Sequence, residues 1–189
     1  MHDIEPFYGW LDIYENSNDE NSPFYTATRN EFEYDKLVYN YYIHTLWDTF
    51  GSETLYLKIL YIDYDTSACI IEFIGEWNDA LYNDIMTLKR EVLDILIKNG
   101  ITKFILITEN VLHFHYSDDS YYEEWFDDID GGWIVIINMS LVNCKEMNKA
   151  RLQSYMLYGE MLANIEWRKL HPTHLVEYIE GRLKHLLLL

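Results

Sequence analysis

The sequence predicts an α/β fold, a mixed sheet of five or six strands with helices packed on it. Three observations carry this. Cys69–Glu109 reads as strand, long helix and strand without a break. A turn at Asp65-Thr66-Ser67 joins the first of those strands to an alternating segment before it. Strand-like and helix-like segments then alternate to the end of the chain.

In the central unit, Ile70, Ile71, Phe73 and Ile74 supply β-branched and aromatic residues up to Gly75. Asn78 or Asp79 is placed to cap a helix by accepting its first free N–H groups. Leu81, Ile85, Leu88, Val92 and Ile95 or Leu96 recur at spacings of three and four, one apolar stripe. Asn99-Gly100 closes that helix, since glycine adopts a left-handed end at no steric cost. Phe104, Ile105, Leu106 and Ile107 follow as a continuous apolar run, the mark of a strand covered on both faces. A right-handed βαβ unit with parallel strands is the default for this order.

Taken from the start, residues 1–30 are irregular, with a polar, turn-rich loop at Glu15–Pro23 between aromatic segments Phe7–Ile13 and Phe24–Thr28. The first segment fits either a short strand or an aromatic arm over the core. Asp35–Phe50 stays open between a helix and a strand through Tyr39, Tyr41 and Ile43. Leu55, Leu57, Ile59 and Tyr61 alternate and form a hairpin with Cys69–Ile74. After Glu109, SYYEEWFDDI predicts a short helix ended by Gly131-Gly132, and Trp133–Met139 a buried strand. Leu152, Tyr155, Met156 and Leu162 predict a helix over 147–162, and Ile165–Leu170 an edge strand. Pro172 opens a last helix with Leu175, Val176, Ile179, Leu183 and Leu186 as its stripe. The whole is one domain over 1–189, with an aromatic N-terminal extension to about residue 50 and a C-terminal helix over about 172–188.

Composition excludes several classes. Half the residues are hydrophobic, with 17 Tyr, 8 Phe and 6 Trp, which is incompatible with disorder. The formal net charge of −18, from 14 basic and 32 acidic residues, repels phosphate backbones and anionic lipid, so neither nucleic acid nor membrane is an expected partner. Cys69 and Cys144 make neither a disulfide framework nor a zinc spacing. The first ten residues lack the features of a signal peptide, and no window is apolar enough to span a membrane, so the expected location is the cytoplasm.

Phe73-Ile74-Gly75-Glu76, the run Lys103–Val111 (KFILITENV) and Gly131-Gly132-Trp133-Ile134-Val135 together carry a family likeness. In these motifs and in element order, about residues 54–160 resemble the STAS domain, the SpoIIAA-like fold of anti-sigma factor antagonists. The resemblance implies a regulatory, protein-binding module with a phosphorylated serine after the central strand, for which Ser117 and Ser120 are the candidates. The glycine that follows the family's serine is absent here. Tyr121 and Tyr122 stand where the family has small residues.

Two constellations are candidates for chemistry. His113 and His115 stand at i and i+2 past a predicted strand end, where open α/β sheets bind ligands, and project to one side if the chain stays extended. With oxygen ligands from Asp118, Asp119, Glu123 or Glu124 they would suit a divalent cation; as surface histidines they need no such role. Asp118–Asp130 interleaves acid with Tyr121, Tyr122, Trp125 and Phe126, either an amphipathic helix with a solvated acidic face or a docking helix with aromatic anchors. Phosphate loops, nucleophile elbows, HExxH and CxxC are absent.

The chain is therefore expected to be a cytoplasmic, non-enzymatic interaction or regulatory protein without a cofactor. Its surface would include His113, His115, Asp118, Asp119, Tyr122, Glu123 and Trp125. A metal-binding protein or small enzyme built on His113, His115 and the nearby carboxylates is the first alternative. A homodimerising structural module, using the aromatic arm and the leucine tail Leu186–Leu189, is the second.

Overall fold

The computed structural model describes residues 4–27, 34 and 36–187, without the side chains of 185–187. Its centre is a four-stranded mixed sheet of β3 (Leu55–Asp63), β4 (Ala68–Asn78), β5 (Lys103–His115) and β6 (Trp133–Ile137), in that spatial order. β3 pairs antiparallel with β4, which pairs parallel with β5, and β5 parallel with β6. The hairpin and the parallel βαβ unit thus form as expected, and the α/β class holds. The remaining strands, β1 (Leu37–Val38) and β2 (Tyr41–Tyr42), form a separate antiparallel ribbon. They do not join the sheet because Tyr39 and Asn40 turn the chain with positive φ after only two residues.

Alternation along the strands sends side chains into two cores. One holds Leu57, Ile71, Phe73, Phe104, Leu106 and Ile136. It is covered by α2 (Asp84–Leu88), a π-helical stretch (Lys89–Leu93), α3 (Asp94–Lys98), α4 (Ser120–Asp128) and α5 (Leu141–Lys149). The other holds Ile70, Ile105, Ile107, Val135 and Ile137 beneath α6 (Pro172–Leu187) and the N-terminal arm. Regions outside the family likeness therefore cover the back of the sheet, while Phe24 and Phe50 join the first core and Val38, Ile43 and Trp47 pack with Tyr56 and Ile74 in a smaller cluster. The arm is not a strand: Phe7 and Trp10 pack edge-on against Trp167, and the Trp10 indole donates to the Leu170 carbonyl at 3.0 Å.

The long helix departs from its expected form. α1 (Asp79–Tyr82) is one turn, ended by Asn83 at φ 52, and α2 starts anew after it. Leu81 consequently leaves the apolar stripe and is exposed, whereas Ile85, Leu88, Val92 and Leu96 are buried. The helix expected over 147–162 lies earlier, at Leu141–Lys149. Ser140 caps it by accepting from the Asn143 N–H, and left-handed Arg151 prevents its continuation. Leu157 instead bridges to Val135, with the Ile136 N–H donating to its carbonyl and its own N–H donating to Ile134. This covers the edge of β6. The edge strand expected at Ile165–Leu170 is a 3-10 turn at Trp167–Lys169, because the Trp167 side chain is drawn down between the arm and the sheet. The last helix forms from Pro172 as predicted, with Leu175, Val176, Ile179 and Leu183 buried. Thr28, Asp35 and the leucine tail's side chains lie outside the described residues. No described helix is long and apolar enough to cross a membrane.

Two glycines of the family-like motifs have steric reasons. Gly75 takes φ +112, and a Cβ there would stand 2.1 Å from the Thr54 carbonyl oxygen. At Gly132 a Cβ would stand 2.0 Å from the Thr102 carbonyl oxygen. Both mark backbone passing against backbone.

Candidate functional site

The candidate site lies at the carboxyl ends of the parallel strands, where β4, β5 and β6 hand over to α1, α4 and α5. Two bulges shape it. In register with β4, β5 carries extra residues after Ile107 and after Val111, so Gly75 pairs with Val111 but Glu76 with His113. Leu112 is the surplus residue of the second bulge and is pushed out to solvent. The phase of the strand changes there: Phe114 points into the core, and His113 and His115 both face outward. Their ring centroids are 6.1 Å apart. The sequence expectation that the two imidazoles share a side is met.

Three of the four carboxylates expected beside them are engaged elsewhere. Asp118 accepts from the Ser120 N–H at 3.1 Å and hydroxyl at 2.6 Å, bonds that hold its carboxyl below the usual range. Asp119 accepts from the Tyr155 hydroxyl at 3.0 Å. Glu123 is exposed in the first turn of α4. Glu124 takes two bonds from the Arg90 guanidinium, at 2.6 and 2.8 Å. The carboxylate that does stand beside His115 is Glu76, with Oε1 3.2 Å from Nε2.

The acidic face of α4 is not simply solvated. Asp94, Glu124 and Asp128 converge as the one compact carboxylate trio of metal-ligand type among the described residues. The buried Lys89 ammonium sits among them, bonded to Asp94, at 2.8 Å from Asp128 and 3.5 Å from Glu124. Burial alone would push Lys89 down, but its bonds to Asp128 and Asp94 outweigh this and hold it above its ordinary value. The trio is an ion-pair network that clamps α4 to the π-helical stretch.

Tyr122 and Trp125 correct the expectation of surface anchors. Both are fully buried, Trp125 edge-on to Phe104 and Tyr122 donating to Asp79 at 2.6 Å. The period of α4 puts Tyr122, Trp125 and Ile129 inward, as an amphipathic helix requires. Asp79 also accepts from the Trp77 indole at 3.1 Å and the Ile85 N–H at 2.9 Å. Desolvation still dominates, pushing its carboxyl up to about 7. Ser117 and Ser120 are exposed, Ser120 as the first residue of α4.

The rim of this end carries the three most exposed aliphatic side chains among the described residues, Leu141 at 78%, Leu81 at 76% and Val142 at 58%, together with Leu112 at 46%. Leu141 and Val142 follow β6, Leu81 follows β4, and Leu112 is the bulge residue of β5. Asn143 donates its amide to the Val111 carbonyl at 2.9 Å, which brings the first turn of α5 against β5. The pairing of Asn78 with His115 brings α1 to the other side.

Sequence reasoning missed Glu72, Glu76, Tyr39, Lys89 and Arg168. A charge in the middle of an apolar strand, as in CIIEFIG, was the available signal for Glu72. It is fully buried, accepting from the Phe7 N–H at 2.9 Å and from Arg168 at 3.1 Å. Arg168 also pairs with Glu109 and stacks on Trp167 at 4.2 Å.

No family model and no curated protein matches the chain. Among solved structures, the phosphorylated form of the Bacillus cell fate determinant SpoIIAA is similar, at 13% identity and a TM-score of 0.37, over 55% of this chain and 91% of that one. That protein has the fold the sequence motifs resemble.

Proposed function

We propose that this chain is a non-enzymatic, cytoplasmic interaction module that binds a protein partner through the rim at the carboxyl ends of its parallel strands. The observation that carries this is the exposure of Leu81, Leu141 and Val142 on the segments following β4 and β6, and of Leu112 at the bulge of β5 between them. Scattered exposed apolar residues are ordinary, and the case for an interaction site here is that several of them gather at one end of the sheet. Asp118, Asp119 and Glu123 border the rim with negative charge, which suits a partner whose apolar contact is flanked by Lys and Arg. Ser117 and Ser120 supply the regulatory part of the proposal. Phosphate there would add about −1.5 to −2 charges beside Asp118 and oppose docking of anything but a basic surface.

The test is recovery of partners from the host's own lysate by tagged wild-type chain, by Leu112→Asp/Leu141→Asp and by Tyr8→Asp as a remote surface control. A stoichiometric partner retained by the control and lost from the double variant is expected. Equal recovery by all three, or none by the wild type, overturns the proposal. Mass in solution distinguishes a second copy of the chain as the partner, and mass spectrometry reads phosphate on either serine.

A further inference from the structure

We propose that Glu76, His113 and His115 form a binding site for a divalent transition-metal ion of the zinc type. The site stands apart from the docking proposal and needs no partner. Its three side chains come from paired positions of β4 and β5, where Glu76 is in register with His113 and Asn78 with His115. Residues paired across a sheet project to the same face, and so do His113 and His115 at i and i+2.

Glu76 is the fixed member. Its side chain is only 9% exposed, and its Oε1 accepts from the Asn78 amide at 2.7 Å. The Tyr39 hydroxyl is hydrogen-bonded to the same carboxylate. Metal-binding carboxylates and imidazoles are oriented by such outer partners. The 3.2 Å between His115 Nε2 and Glu76 Oε1 matches the separation of two ligand atoms each about 2.1 Å from zinc at angles near tetrahedral. The three ligand atoms are not all within 4.8 Å of one another in this arrangement. His113 therefore completes the set only by turning about its side-chain torsions, a motion open to an exposed side chain on the picosecond to nanosecond scale. Tyr39 packs edge-on to that ring at 6.0 Å and leaves its outer face open.

Two imidazoles and one carboxylate select zinc-like ions over magnesium or calcium, which prefer all-oxygen shells. Three protein ligands leave a fourth position for water or for a donor from another molecule. Electrostatics favour occupancy. Buried Asp84 lies within the electrostatic reach of Glu76, and the chain's formal charge is −18. The Asp94, Glu124 and Asp128 trio competes less, because the Lys89 ammonium already sits among its carboxylates and Arg90 pairs with two of them.

The experiment titrates zinc chloride into the full chain by calorimetry and follows the melting temperature, with magnesium chloride in parallel. The expected result is one zinc per chain, a raised melting temperature and no response to magnesium. His113→Ala and His115→Ala, both at exposed positions, are each expected to weaken binding at least tenfold, as is Glu76→Gln. His171→Ala/His174→Ala removes the other close imidazole pair, with centroids 5.8 Å apart, and is expected to change nothing. Absence of saturable zinc uptake overturns the proposal. So does uptake that survives His113→Ala/His115→Ala or that disappears in His171→Ala/His174→Ala.

Discussion

At the scale of single residues, the buried carboxylates dominate. Burial pushes Glu72 up from 4.5 to about 7, against the lowering influence of the Phe7 N–H and Arg168. The unfolded chain releases this proton at its ordinary value while the folded chain keeps it to about 7. The stabilising contribution is therefore complete below 4.5 and is lost as pH rises through about 7. Asp79 acts in the same sense, its carboxyl also raised to about 7. Carboxyls held low by hydrogen bonds or cations, such as Asp118 and Asp94, contribute the opposite dependence in more acidic solution. Urea unfolding between about pH 5 and about pH 8 is expected to show stability falling with pH, and Glu72→Gln to remove about half of that slope. An unchanged slope in the variant would exclude Glu72 as its source. The Lys89 network has a different logic. Its carboxylates remain partly exposed, so its main effect is to fix the position of α4.

Among the elements, the broken helix after β4 is the clearest departure from expectation. Asn83 lies in the left-handed region, where Asn is among the few residues tolerated without strain. Asn83→Ala is expected to lower stability by about 1–2 kcal/mol and Asn83→Gly by much less, measured by denaturant midpoint. Equal losses would show that the side chain, not the backbone conformation, matters there. The same element explains what was legible. Ile85, Leu88, Val92 and Leu96 keep their helical period and were placed correctly, because burial against the sheet enforces it. Leu81 shares the spacing but lies before the break, and periodicity carries no record of a one-residue reversal. Likewise Leu152 and Met156 are buried as expected, yet from turns, since a buried spacing of four arises in a compact loop as well as in a helix. In the site, i and i+2 spacing was enough to put His113 and His115 on one side. Glu76 was out of reach, because its approach depends on a bulge in the neighbouring strand.

For the whole molecule, the decisive feature is a sheet covered from behind by both ends of the chain. Trp10 is buried against Trp167 and bonded to the Leu170 carbonyl, so Trp10→Ala is expected to destabilise the fold by about 3–5 kcal/mol. Thermal unfolding followed by circular dichroism checks this, and a loss below 1 kcal/mol (roughly a factor of five in the equilibrium constant) would mean the arm is dispensable. The meeting of the two coverings on Glu72 has a wider consequence. One carboxylate oxygen takes the Phe7 N–H and the other the Arg168 guanidinium. Through that shared acceptor, the openings of the two segments are thermodynamically linked, and linkage is reciprocal. Loosening the Arg168 side with Arg168→Ala should quicken hydrogen exchange at the Phe7 amide, far from it in sequence. The N-terminal arm and the Trp167–Lys169 turn then behave as one cooperative unit that comes off the sheet together.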